Sequence, residues 1–362
     1  MKAVITAGGR GTRLRPLTHT LNKHLVPICN KPLLFHALEK VAAIGVQNVI
    51  ISMNQGDEEL PKIVGDGSAF GVSISYVEQD EPRGLAHVLR LAEPLIGNER
   101  FVFYYGDNVL AGGLELYAQQ FVRNRSNCHL CLVKVAEPQH YGVAVVDGDR
   151  VITAVEKPQT FISDLAITGI QFYDESIFEA IKYVRPTPPK PPRMIPEMDI
   201  PPANQWLIDQ GYKVTYSEIT GWWKDTGKPK DLLEASRLVL EHLVSSQKST
   251  IDSTSSISDK CIVGKNTRII ESRIVGPVII GDNCTIRGAT IGPNVSIANR
   301  CKITQSTISN SIILDDSEIS LPSRPLQDSI IGQHVVLGEQ HHEGRASKLL
   351  VGDHSAMVLN SV

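Results

Sequence analysis

Residues 1–17 read M-K-A-V-I-T-A-G-G-R-G-T-R-L-R-P-L, and this stretch indicates the kind of fold with which the chain begins. The apolar run at residues 3–5 predicts a short buried strand, and the glycines after it predict a turn. Glycines let main-chain N–H groups approach an anion, and Arg10, Arg13 and Arg15 add fixed positive charge. These arginines would repel one another unless an anion lies among them. The stretch therefore predicts a strand that ends in a phosphate-binding turn, suited to a nucleoside triphosphate.

Two common phosphate-binding motifs do not describe this turn. The P-loop requires G-x-x-x-x-G-K-S/T, and the dinucleotide fingerprint requires G-x-G-x-x-G; residues 8–17 contain neither. A glycine-rich turn alone is as often an ordinary turn, so the functional interpretation depends on the arginines and on Lys23, which follows them.

Length and composition indicate a two-domain globular protein. The chain has 362 residues and a net charge of −3, so no basic excess indicates nucleic-acid binding. No apolar stretch is long enough to span a bilayer, and the start is too short for a signal-peptide core. We expect a cytoplasmic protein that binds neither nucleic acid nor membranes.

The six cysteines are scattered along the sequence. Cys128 and Cys131 form a C-x-x-C, but a zinc site would need a second pair. Their surroundings, C-H-L-C-L-V-K-V, favour a buried strand, and we expect all six to be reduced thiols.

The first two-thirds of the chain alternates strand and helix patterns. Strands are predicted at 3–6, 48–52, 73–77 and 101–105, with helices at 33–44 and 85–95. This alternation predicts an α/β domain with a mainly parallel sheet covered by helices on both faces. Because ligands bind beyond the carboxyl ends of such strands, the glycine turn and Gly106-Asp107-Asn108 should face one crevice.

A different repeat begins after residue 256. A helix at 231–244 precedes Ser- and Thr-rich residues 245–256, which predict a linker. Aliphatic residues then recur at every fifth or sixth position, a period typical of a parallel β-helix. They are Val263, Ile269, Ile274, Ile280, Ile286, Ile291, Ile297, Ile303, Ile308, Ile313 and Ile319. The predicted domains are therefore 1–244, a linker 245–256, and a β-helix with a C-terminal tail at 257–362.

The motifs together resemble those of the sugar-1-phosphate nucleotidyltransferases, most closely the long-form glucose-1-phosphate thymidylyltransferases. The matching motifs are G-G-R-G-T-R-L-R-P-L-T at 8–18 with Lys23, G-D-N at 106–108, E-K-P at 156–158 and W-x-D-T-G at 223–227. The resemblance covers nearly the whole chain. It implies a Rossmann-like, GT-A-like catalytic domain followed by a left-handed parallel β-helix of hexapeptide repeats.

The resemblance also implies roles for individual residues. Arg13 would hold the pyrophosphate leaving group, Lys23 would contact the phosphates at the reacting centre, and Asp107 and Asp225 would bind Mg²⁺. The residues implied in nucleotide binding are Gly8, Gly9, Gly11, Thr12, Arg13, Gln79 and Gly84. Those implied in sugar-phosphate binding are Lys157, Glu156, Tyr141, Gly142, Ile167 and Thr168.

The implied substrates are dTTP and glucose-1-phosphate, which would give dTDP-glucose for deoxysugar biosynthesis and pyrophosphate. UTP and another hexose or amino-sugar phosphate remain alternatives. So do a β-helix with acyltransferase activity, for which His334 and the pair at 341–342 are the histidines present, and a non-catalytic sugar-nucleotide sensor. The chain departs from the family at His24, where glutamine is usual, and at the proline-rich residues 186–202. The β-helix predicts a homo-oligomer.

Overall fold

A computed structural model describes residues 1–189, 195–247, 250–339 and 349–359. Contacts divide the chain into two compact units. The first is Met1–Gly9 with Leu34–Lys224, and the second is Arg10–Leu33 with Asp225–Val362. The middle of the proline-rich stretch, residues 190–194, and His341 and His342 lie outside the described residues.

Strands and helices alternate through the first 240 residues. In chain order they are β1 Lys2–Thr6, β2 Pro27–Ile28, β3 Lys31–Pro32, α1 Leu33–Ala43, β4 Asn48–Asn54, α2 Glu59–Val64, β5 Ser73–Gln79, α3 Leu85–Ile96, β6 Phe101–Tyr105, β7 Asn108–Leu110, α4 Glu115–Arg123, β8 Cys128–Lys134, β9 Gly142–Asp147, β10 Arg150–Glu156, β11 Leu165–Tyr173, α5 Ser176–Lys182, α6 Pro201–Asp209, β12 Val214–Glu218, β13 Trp223–Asp225 and α7 Pro229–Leu240.

The first unit is built on a nine-stranded sheet of order β5-β4-β1-β6-β11-β8-β12-β10-β9. The four predicted strands are its parallel part, β5-β4-β1-β6. The other half is mixed, because β11 runs antiparallel to both β6 and β8, and β10 runs antiparallel to β12 and β9. The prediction of a mainly parallel sheet therefore holds only for the first half.

Helices cover both faces of this sheet, as the sequence predicted. On one face, α3 packs against β1, β4 and β5, α5 against β6, and α6 against β10 and β12, in a core that includes Phe101 and Leu130. On the other face, α4 brings Phe121 to 5.7 Å from Phe172 of β11, measured between ring centroids. Every residue of β11 is buried, which explains its nearly continuous apolar sequence.

The second unit contains three further sheets made of short parallel strands. These strands are β14 Ser246–Gln247, β15 Thr250–Ile251, β16 Ser256–Ile257, β17 Cys261–Val263, β18 Arg268–Ile270, β19 Arg273–Ile274, β20 Val278–Ile280, β21 Thr285–Arg287, β22 Thr290–Ile291, β23 Val295–Ile297, β24 Lys302–Thr304, β25 Thr307–Ser309, β26 Ser311–Ile313, β27 Glu318–Ser320, β28 Leu326–Gln327, β29 Ile330–Ile331, β30 Val336–Glu339, β31 Leu350–Val351 and β32 Ala356–Leu359.

Successive strands rotate among the three sheets, an arrangement consistent with a parallel β-helix. The sheets have the orders β14-β17-β20-β23-β26-β29-β31, β15-β18-β21-β24-β27-β30-β32 and β16-β19-β22-β25-β28. In the first of them Val263 pairs with Ile280, which pairs with Ile297, then Ile313, then Ile331. The periodic isoleucines therefore stack into one apolar core, as the repeat predicted.

The coil begins earlier in the chain than the sequence indicated. Strands β14 and β15 lie within residues 245–256, the predicted linker, and pair with β17 and β18. A Ser- and Thr-rich composition is compatible with coil corners, so it did not distinguish a linker from a first coil. Among the described residues, no helix is long and apolar enough to cross a bilayer.

All six cysteines are free and buried, and Cys128 and Cys131 lie on β8 as predicted. Burial is the main cause that raises the pKa of the Cys29 thiol to about 12, and it also raises the pKa of Cys128 and Cys131. These thiols therefore stay protonated and inert at neutral pH.

His129, between those two cysteines, should make the protein sensitive to acid. Its ring nitrogens lie 2.8 Å from Thr215 Oγ1 and 2.9 Å from Ser217 Oγ, and burial lowers its pKa to about 4. The His129 ring therefore binds a proton more readily in the unfolded chain than in the folded protein. Its contribution to stability is fully present above about pH 6.5 and is lost as the pH falls towards about 4. We expect a loss of about 2 kcal/mol between pH 7.5 and pH 5 in urea denaturation. The variant His129→Gln should show a smaller loss; an equal loss in both proteins would contradict the assignment.

Candidate functional site

The glycine turn after β1 is fixed by a side chain from the next strand of the sheet. Asn54, at the end of β4, accepts a hydrogen bond from the Gly9 amide through Oδ1 at 2.9 Å. A Cβ built on Gly8 would lie 3.5 Å from Asn54 Oδ1 and 3.7 Å from Gln79 Oε1. Parallel strands β1, β4 and β5 therefore bring Gly8, Gly9 and Gln79 together at their carboxyl ends.

The Gln79 side chain has a defined orientation. Its Nε2 donates to the Gly84 carbonyl at 3.2 Å and lies 3.1 Å from His87 Nδ1. The carbonyl can only accept, so the amide nitrogen must face it and Oε1 must face the Gly8 turn. Burial lowers the pKa of His87, which keeps this ring neutral and able to accept at Nδ1. Gln79 thus presents a hydrogen-bond acceptor to the turn.

Gly84 lies against the end of the proline-rich stretch. A Cβ built on Gly84 would lie 2.5 Å from the Met198 carbonyl oxygen and 2.6 Å from its nitrogen. The Met198 amide donates to the Arg83 carbonyl at 2.7 Å, and the Ala86 amide donates to the Met198 carbonyl at 2.9 Å. The end of the proline-rich stretch therefore holds the loop that carries Gly84.

Replacing Gly84 by Ala should destabilise the protein by about 2–4 kcal/mol, because a side chain has no space and the φ of 94° is left-handed. Gly148→Ala is a matched control, since Gly148 has a φ of 56° but nothing within 4 Å of a built Cβ. The control should lose about 1 kcal/mol. Equal losses in urea denaturation would show that the contact with Met198 contributes nothing.

Asp107 and Asn108 follow β6, the fourth parallel strand. Asn108 is 2% exposed and donates through Nδ2 to Asp107 Oδ1 at 2.9 Å. Its Oδ1 accepts from the Gly169 amide at 3.0 Å and from Trp223 Nε1 at 2.8 Å. Asn108 therefore fixes the Asp107 carboxylate relative to β11 and β13, a role that the sequence analysis did not assign.

The predicted sugar-phosphate residues meet near the start of β9 and the end of β10. Glu156 and Lys157 form an ion pair, and the Lys157 amide donates to the Tyr141 carbonyl at 3.0 Å. A Cβ built on Gly142 would lie 3.1 Å from Glu156 Oε2 and 2.8 Å from Pro201 Cγ. The antiparallel pair β9–β10 thus groups Tyr141, Gly142, Glu156 and Lys157.

Ile167 and Thr168 lie at an irregularity in β11, where the register shifts between Ile167 and Gln171. The Thr168 hydroxyl is fully buried and donates to the Cys131 carbonyl at 2.8 Å. This side chain therefore serves the fold, and any contact with a ligand would come from the neighbouring main chain. A Cβ built on Gly169 would lie 2.5 Å from Tyr105 Cγ, so the strand passes directly against that ring.

Tyr105 adds a hydroxyl that the sequence analysis did not consider. Its oxygen accepts from Gln171 Nε2 at 3.2 Å. Burial first, and then the charge of Glu156, raises the pKa of Tyr105, and the charges of Asp107 and Asp199 act in the same direction. The negative charges of three carboxylates therefore act on the Tyr105 hydroxyl in the same direction.

The remaining predicted residues belong to the second unit, where the arginine-rich turn continues. The Thr18 hydroxyl donates to the Gly11 carbonyl at 2.7 Å, and a Cβ built on Gly11 would lie 3.1 Å from Lys23 Cβ. Thr12 begins a short 3-10 turn, Thr12–Leu14. His24 is buried, with its amide bonded to Asn22 Oδ1 at 2.9 Å, so the departure from glutamine faces the interior.

Arg13 lies beside the W-x-D-T-G motif. A Cβ built on Gly227 would lie 2.9 Å from Arg13 Nη2 and 3.4 Å from Asp225 Oδ1, so both groups flank this glycine. Arg13 is exposed and forms no ion pair with any residue in the described ranges. An exposed guanidinium without a carboxylate partner is available to bind an anion.

Asp107 in the first unit and Asp225 in the second each offer a carboxylate, a donor that a hard divalent metal prefers. Among the residues that the structure describes, no group of three or more His, Cys, Asp or Glu side chains could enclose a metal. Mg²⁺ is usually held by one or two carboxylates together with phosphate oxygens and waters. Asp107 and Asp225 suit this kind of site by their chemistry.

Comparison with known proteins identifies the family. Residues 2–242 match the family described as nucleotidyl transferase, and residues 274–346 match the GMPPB C-terminal domain. The chain belongs to the nucleotidyl transferase family. Over 100% of both chains it is 39% identical to a glucose-1-phosphate thymidylyltransferase of Streptomyces antibioticus and 38% identical to that of Streptomyces griseus.

Other relatives agree with this assignment. The low-salt glycan biosynthesis nucleotidyltransferase Agl11 of Haloferax volcanii is 35% identical over 99% of this chain and 100% of that protein. A Bacillus anthracis structure solved with sucrose, described as a glucose-1-phosphate thymidylyltransferase, is 33% identical with a TM-score of 0.60. It covers 66% of this chain and 94% of its own. A UDP-glucose pyrophosphorylase with bound UDP-glucose, 24% identical with a TM-score of 0.58, shares the fold over 66% of this chain and 98% of its own.

Proposed function

We propose that this protein transfers a thymidylyl group from dTTP to glucose-1-phosphate, releasing pyrophosphate and forming dTDP-glucose. The observation that carries this proposal is the similarity over the full length of both Streptomyces thymidylyltransferases. The local geometry at Gln79, Asp107, Lys157 and Arg13 supports it.

Gln79 and Gly84 are the proposed contacts to the base. Thymine and uracil carry an imide N–H, which needs an acceptor, and Gln79 Oε1 faces the glycine turn as such an acceptor. Cytosine has an acceptor at the same ring position, so it would meet a second acceptor and be rejected. The acceptor at Gln79 therefore favours dTTP and UTP together over dCTP.

Lys157, Glu156, Tyr141, Gly142 and the main chain at Ile167 and Thr168 are the proposed contacts to the sugar phosphate. Lys157 supplies a cation for the phosphate, and the neighbouring Glu156 accepts hydrogen bonds from sugar hydroxyls. Asp199, next to Met198, is an additional candidate contact on this side.

The chemistry proposed is an in-line displacement at the α-phosphorus of the triphosphate. An oxygen of the sugar phosphate forms the new P–O bond, and the bond to the β-phosphate bridging oxygen breaks, so pyrophosphate leaves with that electron pair. A phosphate monoester is already a nucleophile at neutral pH, so no general base is required. Gly8, Gly9, Gly11 and Thr12 offer main-chain donors, and Arg13 and Lys23 offset the charge of the triphosphate.

Asp107 and Asp225 are the proposed ligands of Mg²⁺. The bound ion would neutralise charge that develops on the phosphate oxygens. Asn108 holds the Asp107 carboxylate in one orientation before any ion binds, because it donates to Oδ1 and is itself fixed at two points.

The proposed function is tested by Mg²⁺-dependent release of pyrophosphate across a panel of dTTP, UTP, dCTP and dATP with several hexose-1-phosphates. We expect release with dTTP and glucose-1-phosphate and none with dCTP. A preference for UTP, or for another sugar, would replace the substrates but keep the reaction. Absence of release with every pair would overturn the proposal.

For the C-terminal coils we propose a left-handed parallel β-helix, because the hexapeptide period is typical of that hand. We also propose a cytoplasmic homo-oligomer, with a catalytic domain at 1–244 and a β-helical domain that begins at β14, because β14 and β15 pair with β17 and β18. Sedimentation of the purified protein tests the oligomeric state, and an experimental electron-density map tests the hand.

A further inference from the structure

Within the second unit, the segment Arg10–Leu33 lies on one face of the coiled strands. Asn30 Nδ2 donates to the Ile297 carbonyl at 2.6 Å. A Cβ built on Gly352 would lie 3.1 Å from Pro16 Cβ. The Thr20 hydroxyl donates to Asp353 Oδ2 at 2.5 Å. The segment that carries Gly11, Arg13 and Lys23 is thus attached to both the middle and the last coil.

Burial on this face agrees with a covered surface. Ile313 and Ile331 point into the coil core, so their neighbours Ile312 and Ile330 point outward from the same strands. Ile312 and Ile330 are nevertheless only 1% exposed. They are therefore covered from outside the coil, on the face where Asn30, Pro16 and Thr20 make their contacts.

Asp353 is suited to hold the segment because its own position is fixed by the coil. Its Oδ1 accepts from the Gln333 amide at 2.7 Å, while Oδ2 accepts from Thr20. Asp282 makes the same kind of coil contact in an earlier turn, where Oδ1 accepts from the Lys265 amide at 2.7 Å. Only Asp353 of these two also reaches the segment Arg10–Leu33.

A short series of contacts links Pro16 and Thr20 to the residues that are proposed to bind phosphate. Pro16 and Thr20 flank the 3-10 turn Leu17–His19, and within this turn the Thr18 hydroxyl donates to the Gly11 carbonyl. Gly11 in turn packs against Lys23. Fixing Pro16 and Thr20 therefore limits the movement of Gly11 and Lys23.

We propose that the last coil positions the triphosphate-binding segment, and that Asp353 is the positioning residue, acting through Thr20. The inference rests on the proposed function, because it assigns the segment to the triphosphate. It gives the C-terminal coils a role in substrate affinity beyond assembly.

The test uses full-length Thr20→Val, Asp353→Ala and the double variant, with Asp282→Ala as the matched control. Thr20→Val removes only the hydroxyl, so it leaves the coil intact. We expect each single variant to raise KM for dTTP about three- to tenfold, the range for one ordinary hydrogen bond, because water screens the charge of Asp353 at this exposed position. KM for glucose-1-phosphate should stay within about twofold, and the double variant should be no worse than Asp353→Ala, because both substitutions remove the same bond between Thr20 and Asp353.

Several results would overturn the inference. One is an unchanged KM for dTTP in Thr20→Val. Another is an equal rise in Asp282→Ala, which would indicate a general effect of coil stability. Additive effects in the double variant would also contradict a shared interaction. Thermal unfolding of each variant shows whether a rise in KM for dTTP is caused by misfolding.

Failure of the proposed function is distinguishable from failure of this inference. If the wild-type protein releases no pyrophosphate, titration calorimetry with inorganic tripolyphosphate still measures the affinity of the segment Arg10–Leu33 for a triphosphate. We then expect weaker binding in Thr20→Val than in Asp282→Ala and wild type. Equal binding in all three would show that Asp353 does not position the segment.

Discussion

Replacing Asp107 by Asn is expected to lower turnover by about a thousandfold or more, measured at a Mg²⁺ concentration that saturates the wild-type protein. The change keeps the shape of the side chain and its acceptor for Asn108 Nδ2, so the fold should be preserved. It removes one negative charge from a proposed magnesium ligand, and hard divalent cations bind carboxylates far better than amides. The measurement is single-turnover release of pyrophosphate, together with the Mg²⁺ dependence of the rate.

Asp147→Asn is the matched control, since Asp147 is an exposed residue at the end of β9 in the same unit. It should retain wild-type turnover. Asp225→Asn should resemble Asp107→Asn in the same assay. If either of the two site variants keeps more than about a tenth of wild-type turnover, that residue is not a metal ligand.

Replacing Arg13 by Ala is expected to lower kcat/KM for dTTP by about a hundred- to a thousandfold. Arg13 makes no ion pair with the residues described, so its removal leaves no carboxylate without a partner and should not change stability. The loss should also affect the reverse reaction, because the same guanidinium would bind pyrophosphate as a substrate. Both directions can be followed by exchange of labelled pyrophosphate.

Arg15→Ala serves as the control, because Arg15 is also exposed and adds charge to the same turn but is not among the residues proposed to contact the triphosphate. We expect it to change kcat/KM by less than about tenfold, through the long-range charge alone. Similar losses for both variants would indicate that the turn attracts the triphosphate only by its net charge.

The sequence predicted those parts of the fold that rest on local patterns. Strand β6, Phe101–Tyr105, has the predicted bounds, because an unbroken apolar run ends at the glycine of G-D-N. The coil was visible because each inward-facing isoleucine recurs at a fixed spacing. Both signals come from residues close together in the chain.

The antiparallel half of the sheet was not predictable in this way. Strand β8 pairs with β12, more than eighty residues later, and β11 is inserted between β6 and β8. The sequences of these strands do not indicate strand direction or pairing partner, because buried strands have similar apolar sequences whichever strand lies beside them. Pairing across such distances is decided by packing of the whole unit.

The candidate site also contains residues that local motifs indicate and residues whose role depends on distant parts of the chain. The sequence indicated Gly8, Gly9 and Gln79 as separate motif positions, and they lie together because neighbouring parallel strands end at one edge. The importance of Asn108 could not be inferred, because its partners Gly169 and Trp223 lie far away in the chain. Its place directly after Asp107 in G-D-N was the only signal. Thr168 was expected at the ligand, but its hydroxyl is used by a neighbouring strand.

The spacing of the coil has a practical consequence. Val263 and Ile280 are seventeen positions apart, as are Ile280 and Ile297, whereas Ile297 to Ile313 takes sixteen and Ile313 to Ile331 takes eighteen. The strands keep their alignment, so the corners absorb the difference. Evolution can therefore shorten or extend this domain at its corners, and an epitope tag inserted at residues 322–325 should be tolerated where the same tag within a strand would not be.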